Sequence, residues 1–218
     1  MLAFDEPLFR YESMTVLDAR RVLEAPAIYQ LFQRLGGFFR LRLIALNTYL
    51  PISPGSRLFD IGCGPGHIIE HLPRNIEYHG FDNDKSYIDF ATRHFGHLGR
   101  FHCCIFDETA KEKFGFADVV TLNTLLHHLT DDEVIQLLSA VRMCLRPGGI
   151  LFTLDPCFRE GQSPLARWIH AHDRGKFVRT EPGYRALLTR LFPNLEIHIR
   201  EDLSIIPQTI IITVSRNS

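Results

Sequence analysis

The 218-residue chain predicts an α/β domain with a mainly parallel sheet, helices on both faces and an antiparallel hairpin at its end. Two observations carry this. From Arg57 onward, short apolar runs alternate with helix-length stretches, the pattern of parallel strands joined by helical crossovers. After Leu195 that alternation stops. Leu195 to Arg200 and Gln208 to Val214 are β-rich, with only a short loop containing Pro207 between them, so they should pair as a hairpin.

Taken in order, Ser13 to Leu50 reads as helical. Val16, Leu17, Val22 and Leu23 mark one short helix. Ile28, Leu31, Phe32 and Leu35 keep the i, i+3, i+4 spacing after Pro26. Gly36-Gly37 interrupts, Phe38 to Leu50 resumes, and Pro51 with Pro54-Gly55 closes the segment. Strands follow at Leu58–Ile61, Tyr78–Phe81, Arg100–Phe106, Val119–Leu122 and Ile150–Leu154. Helices fit at Gly66–Leu72, Lys85–His94, Asp131–Leu145 and Pro164–Ala171. Thr130 and Glu133 form a T-x-x-E capping box that starts one helix, and Arg146-Pro-Gly-Gly149 ends it. The expected organisation is one domain: an N-terminal helical segment (1–55), a core (56–156), a lid and helix (157–192) and the hairpin (193–218).

Lys plus Arg is 24 against 25 Asp plus Glu, which gives a net charge of −1. A whole-chain grip on nucleic acid or an anionic membrane is not indicated. The five cysteines include no C-x-x-C pair, so neither a disulfide framework nor a zinc site is expected, and no metal is assigned. The first residues lack a basic then apolar leader, and no apolar run approaches membrane-span length. A cytoplasmic protein is the expectation.

Asp60-Ile-Gly-Cys-Gly-Pro-Gly66 ends the first strand and opens the next helix. Glycines there permit a tight turn and close approach of a ligand. The spacing is G-x-G-x-G, not the G-x-G-x-x-G of dinucleotide binders, and Asp60 stands directly before it. A carboxylate there repels pyrophosphate and attracts an amino-acid ammonium. Asp82, in Phe81-Asp82-Asn83 at the end of the second strand, can accept hydrogen bonds from a ribose diol or cap the following helix.

Together, Asp60–Gly66, Asp82, the run Asp118 to Leu129 and Leu145 to Leu151 resemble the successive motifs of class I S-adenosylmethionine-dependent methyltransferases. The resemblance implies a Rossmann-like seven-stranded sheet in the order 3-2-1-4-5-7-6. It also implies that Gly62, Cys63 and Gly64 pass the cofactor's methionine part and that Asp60 holds its amino group, directly or through water. Asp82 with Asn83 would take the ribose, and Asp107 the adenine amino group. Asn123 would lie near the methionine end or cap its turn. The amino-methylating N/D-P-P-Y/F motif is replaced by Asn123-Thr124-Leu125-Leu126, which disfavours that chemistry.

Methyl transfer from a sulfonium needs positioning and a dry site, and a hydroxyl acceptor also needs a base. His128 and His127, after the fourth strand, are the catalytic candidates; hydrogen bonding to the turn is the other reading of both. Acceptor contacts are sought at His170, Asp173, Arg174 and Tyr29, with Trp168 to Tyr184 as a mobile cover and Gln33 and Arg40 as further contacts. The expected activity is methylation of a small-molecule acceptor, oxygen before nitrogen or carbon, by a monomer or homodimer that releases S-adenosylhomocysteine. The alternatives are a non-catalytic S-adenosylmethionine-binding sensor or partner-binding protein and, disfavoured by Asp60 and the loop spacing, an NAD-dependent oxidoreductase.

Overall fold

The computed structural model describes residues 37–173 and 175–217. The two helices expected before Gly36, together with Tyr29 and Gln33, lie outside the described residues, as does Arg174.

Helix α1 (Phe38–Tyr49) leads into β1 (Arg57–Ile61), a 3-10 turn (His67–His71), β2 (Glu77–Asp82), α2 (Lys85–Phe95) and β3 (Arg100–Cys103). Then come α3 (Ala110–Phe114), β4 (Ala117–Asn123), a second 3-10 turn (Leu126–His128), α4 (Asp131–Cys144) and β5 (Leu145–Phe158). The chain continues through α5 (Pro164–Ala171), β6 (Arg179–Thr180), α6 (Glu181–Leu188), β7 (Leu195–Arg200) and β8 (Ile210–Arg216). The main sheet runs β3-β2-β1-β4-β5-β8-β7. Strands β1 to β5 are parallel, while β8 is antiparallel to both β5 and β7. Apart from the two-residue β6, which pairs only with β5, this is the expected order.

Strand alternation divides the core into two layers. Phe59, Phe81, Val120, Leu122 and Leu151 face α3, α4 and α6. Leu58, Tyr78, Val119 and Phe152 face α1 and the first 3-10 turn. A one-residue register slip would exchange these faces, so burial on both sides fixes the pairing. Each fully buried Phe or Leu contributes roughly 1.5–3 kcal/mol relative to exposure.

Three expectations are corrected. The stretch after the glycine loop is a five-residue 3-10 turn, entered from Gly66 at φ +78°, and not an α-helix. Strand β3 ends at Cys103. The Arg146–Gly149 turn lies inside β5 as a register shift against β4. Helices α3 and α6 were not anticipated. Helix α4 carries the complete capping box, with the Thr130 hydroxyl accepting from the Glu133 amide and Glu133 accepting from the Thr130 amide.

Candidate active site

The C-terminal ends of β1, β2 and β4 and the loop after β3 open into one cleft of about 800 Å³. That is within the size range of small-molecule and cofactor pockets. Gly62, Asp82, Asn83 and Asp107 line it, with Ile105 and Phe106 at one end and Leu125, Leu129 and α4 forming a wall. Open α/β sheets place ligands at this edge, where the strand order reverses between β1 and β4.

The glycine loop is satisfied from within. The Gly62 and Cys63 amides donate to the Phe81 carbonyl at 2.8 and 3.0 Å. The Gly64 amide donates to Asp82 Oδ2 at 2.9 Å, the Gly66 amide donates to the Cys63 carbonyl at 3.2 Å, and residue 65 is proline. The loop thus offers no uncommitted amide to a phosphate, and no α-helix dipole stands behind it. Gly62 and Gly64 both have positive φ, +74° and +55°. A Cβ at Gly64 would project into open space, so the backbone there is bare toward any ligand. Cys63 is half-buried, and its thiol turns toward Gly80 and away from the cleft. Burial pushes that thiol well above its ordinary range, which makes it unreactive.

Asp60 is buried, and three donors hold it: Tyr78 on Oδ2 at 2.8 Å, and Thr121 and Asn123 on Oδ1 at 2.7 and 3.3 Å. Burial raises its pKa despite these bonds. Asn123 turns its Nδ2 to Asp60, while its buried Oδ1 accepts no hydrogen bond from the described residues. An orphaned buried acceptor beside a carboxylate fits an ammonium or a water that bridges to one. Thr124, next in sequence, has φ +55°, which is costly for a β-branched residue, and such strain gathers at functional turns.

Asp82 does not cap α2. Asp84 does, by accepting from the amides of Ser86 and Tyr87. Asp82 binds the glycine loop through Oδ2 and the Asp84 amide through Oδ1 at 2.9 Å, while still lining the cleft with Asn83. Asp107 sits on the opposite rim. It is exposed, and hydrogen bonds from the Thr109 hydroxyl and amide lower its pKa.

The two histidines separate. His127 is buried, and its Nδ1 lies 2.8 Å from Asp155 Oδ1, which also accepts the His127 amide. Its Nε2 is 3.3 Å from Asp173 Oδ1. Burial alone would lower its pKa, but the hydrogen bonds and charges of Asp155 and Asp173 outweigh it and raise the value to about 9. At neutral pH the ring therefore carries its proton. His128 is exposed, its ring 4.1 Å from that of His127. Neither lines the 800 Å³ cleft.

The segment 157–192 also stays away from that cleft, since none of its described residues lines it. It packs on β5 and on the turn after β4. His170 of α5 is buried beside Gln162, Asp173 reaches His127, and Trp168 is 60% exposed with its ring stacked on His172. The Asp60 donors Tyr78 and Thr121, and Asp155 behind His127, were not singled out from the sequence. Asp155 had a signal: it ends an apolar strand run as Asp60 does. The α4 wall had one too, because Glu133, Gln136, Leu137, Ala140 and Met143 follow a helical stripe.

Residues 59–151 match the family model of a methyltransferase domain. With the sheet order above, this core is similar in sequence motifs and in fold to the class I S-adenosylmethionine-dependent methyltransferases. The chain is 27% identical over 108 residues to the N-terminal Xaa-Pro-Lys N-methyltransferase 1-B of Xenopus laevis, covering 47% of this chain and 48% of that protein. It is 29% identical over 159 residues to the ubiquinone biosynthesis O-methyltransferase of Ralstonia nicotianae, covering 64% and 63%. The crystal structure of the plantazolicin methyltransferase BamL shares the fold, with a TM-score of 0.64 at 14% identity over 92% of this chain and 95% of that one. The chain spans about half the length of the first of these curated relatives. No helix among the described residues is long and apolar enough to cross a membrane.

Proposed function

We propose that this protein transfers a methyl group from S-adenosylmethionine to a small-molecule acceptor, at oxygen in preference to nitrogen or carbon. The observation that carries the reading is the chemistry of the glycine loop. It has no uncommitted amide for an anion, yet it sits between two carboxylates and an orphaned Asn123 oxygen. That lining suits a nucleoside bearing an ammonium and opposes a pyrophosphate, which argues against a nicotinamide dinucleotide.

The cofactor, when bound, supplies a methyl group on a positively charged sulfur. Gly62 and Gly64 give its amino-acid part a bare backbone, while Cys63 forms the turn between them. Asn123 Oδ1, backed by Asp60, accepts from the ammonium directly or through water. Asp82 takes the ribose hydroxyls with Asn83 beside it, and Asp107 takes the adenine amino group. Charge-assisted bonds of this kind are the strong ones. Positioning and exclusion of water supply most of the rate, because the sulfonium leaving group is already good. His128 is the proton acceptor for a hydroxyl. His127, charged between two aspartates, is a positioning residue. Asp173, with His170, Arg174 and Tyr29, stays proposed for the acceptor side. The oxygen preference draws support from the Ralstonia relative, the longest of the curated matches above.

The test is release of S-adenosylhomocysteine on incubation with isotopically labelled cofactor and a fractionated metabolite extract. Label transferred to an oxygen of a small molecule is expected. Tight cofactor binding with no transfer in any fraction would replace this reading with a sensor or partner-binding role.

A further inference from the structure

Outside the cleft, one cluster brings together the donor types that transition metals take. His127, His128 and Asp173 each offer one ligand atom, and all three atoms lie within 4.8 Å of one another. Bonds of about 2.0–2.2 Å at tetrahedral angles set ligand atoms about 3.3–3.5 Å apart. The His127 Nε2 to Asp173 Oδ1 distance of 3.3 Å already has that value. The wider gap involves His128, whose ring is exposed on a 3-10 turn, and metal binding would have to draw that ring inward.

The surroundings match a metal site as well. A metal-bound imidazole usually donates its far N–H to a carboxylate, which fixes its tautomer and aim. Asp155 does this for His127, from a fully buried position and with a second bond to the His127 amide. Asp155 Oδ2 has no hydrogen-bond partner among the described residues. Metal binding at Nε2 would displace the proton that His127 carries in the metal-free protein, and the two imidazoles with two carboxylates would then present a charge of −2 for a divalent cation to cancel. Arg179, whose charge bears on Asp155, is committed to Asp131 and to the carbonyls of Leu126 and Leu129. The loop that brings Asp173 is seated on His127, with the Phe177 amide donating to the His127 carbonyl and the Gly175 amide to Asp173 Oδ1.

We propose that His127, His128 and Asp173 bind a divalent first-row transition metal of the zinc type, with Asp155 orienting His127. Two imidazoles and a carboxylate favour such ions over magnesium or calcium, and three protein ligands leave a position for water or a ligand. The inference does not depend on methyl transfer. Metal loading and proton acceptance compete for the same His128 lone pair, so the site is tested without cofactor or acceptor.

Full-length protein stripped with a chelator and then freed of it is titrated with Co2+, whose visible d–d absorption reports low-symmetry coordination. Zn2+ then serves as competitor. One Co2+ per chain, displaced by Zn2+, is expected. His128→Ala and Asp173→Asn alter exposed side chains and should each weaken binding more than 100-fold with an unchanged circular dichroism spectrum. Asp155→Asn should weaken it about 10- to 100-fold. Absence of d–d bands in the wild-type protein, or equal binding by wild type and the two exposed variants, would overturn the proposal. His127 would then simply be a protonated bridge between two aspartates.

Discussion

Asp82 joins two jobs in one side chain, holding the glycine loop through the Gly64 amide while presenting an edge to the cleft. Replacing it with Ala would remove the proposed diol acceptor and the bond that holds the Gly64 amide. Losing a charge-assisted hydrogen bond costs roughly 1.5–3 kcal/mol, or about 10- to 150-fold in S-adenosylmethionine affinity. Calorimetric titration of a variant with native circular dichroism checks this, and unchanged affinity would remove Asp82 from the site. Gly64→Ala separates conformation from contact. Apart from its chain neighbours, no atom of the described residues lies within 4 Å of the new Cβ, so the cost to the empty protein is mainly that of φ +55°, about 1–2 kcal/mol. Cofactor affinity should fall much further, because the methyl group enters the ligand's side of the loop. A loss of stability with affinity intact would place the ligand elsewhere. At this scale the loop and both strand-end aspartates were legible because their residue types are rare at the ends of apolar runs. The partners of Asp60 were not. Tyr78 and Thr121 look like ordinary strand residues until the register of β1 with β2 and β4 brings them to one carboxylate.

Among the elements, the connection after β5 shows what a local reading leaves out, while its role as a cover over the acceptor stays a proposal. Its density of aromatic and ionisable residues invited the reading of a cover over the acceptor. In the fold it packs against β5, with Tyr184 of α6 donating to the Pro156 carbonyl at 3.0 Å in the core. Helix α6 had its signals in Pro182 near the start and in Tyr184, Leu187 and Leu188 on one face, but only eight residues to show them. What pins the connection is tertiary: Gly175 lies against His127, where an added Cβ would fall on ring carbon Cδ2 and 2.7 Å from the carbonyl oxygen. Gly175→Ala must therefore push the 173–177 loop off the ring. Overpacking of this kind costs roughly 1–3 kcal/mol. The expected outcome is a lower unfolding midpoint with unchanged m-value, and faster amide exchange at Phe177, whose N–H bonds the His127 carbonyl. A variant as stable as wild type, with Phe177 equally protected, would show that the loop is not seated there.

Across the whole molecule, the parallel sheet also carries a titratable chain that no motif announced, running from exposed Glu77 through buried His79 to half-buried His102. On β2 and β3, His79 Nδ1 lies 3.1 Å from His102 Nε2, and His79 Nε2 lies 3.0 Å from Glu77. The His102 ring stacks on Phe81, 4.9 Å between centroids, with Phe114 4.7 Å away. Both imidazole pKa values are lowered, first by burial. Nearby Arg57 and Arg100 push both values down further, and Glu77 only partly compensates at His79. One nitrogen of the His79–His102 contact must donate and the other accept, so the pair takes up one proton without conflict but not two. The unfolded chain binds protons at these histidines from about pH 6.5 downward, before the folded chain does. Where the unfolded state binds more protons, stability falls as pH falls. The stabilisation is thus present above about pH 6.5 and is lost on acidification through the lowered folded values. Thermal midpoints followed by circular dichroism from pH 8 to pH 5 should decline below pH 6.5. His102→Phe keeps a ring between Phe81 and Phe114 and removes one titrating group. Its midpoint should be lower at pH 8, where His79 Nδ1 loses its partner, and its decline toward pH 5 should be shallower. His127, with its raised pKa, lifts the midpoint between pH 8 and pH 6.5 in both proteins, so the comparison is made below pH 6.5: parallel declines there, or a midpoint that rises there, would show that the histidine chain does not control acid stability.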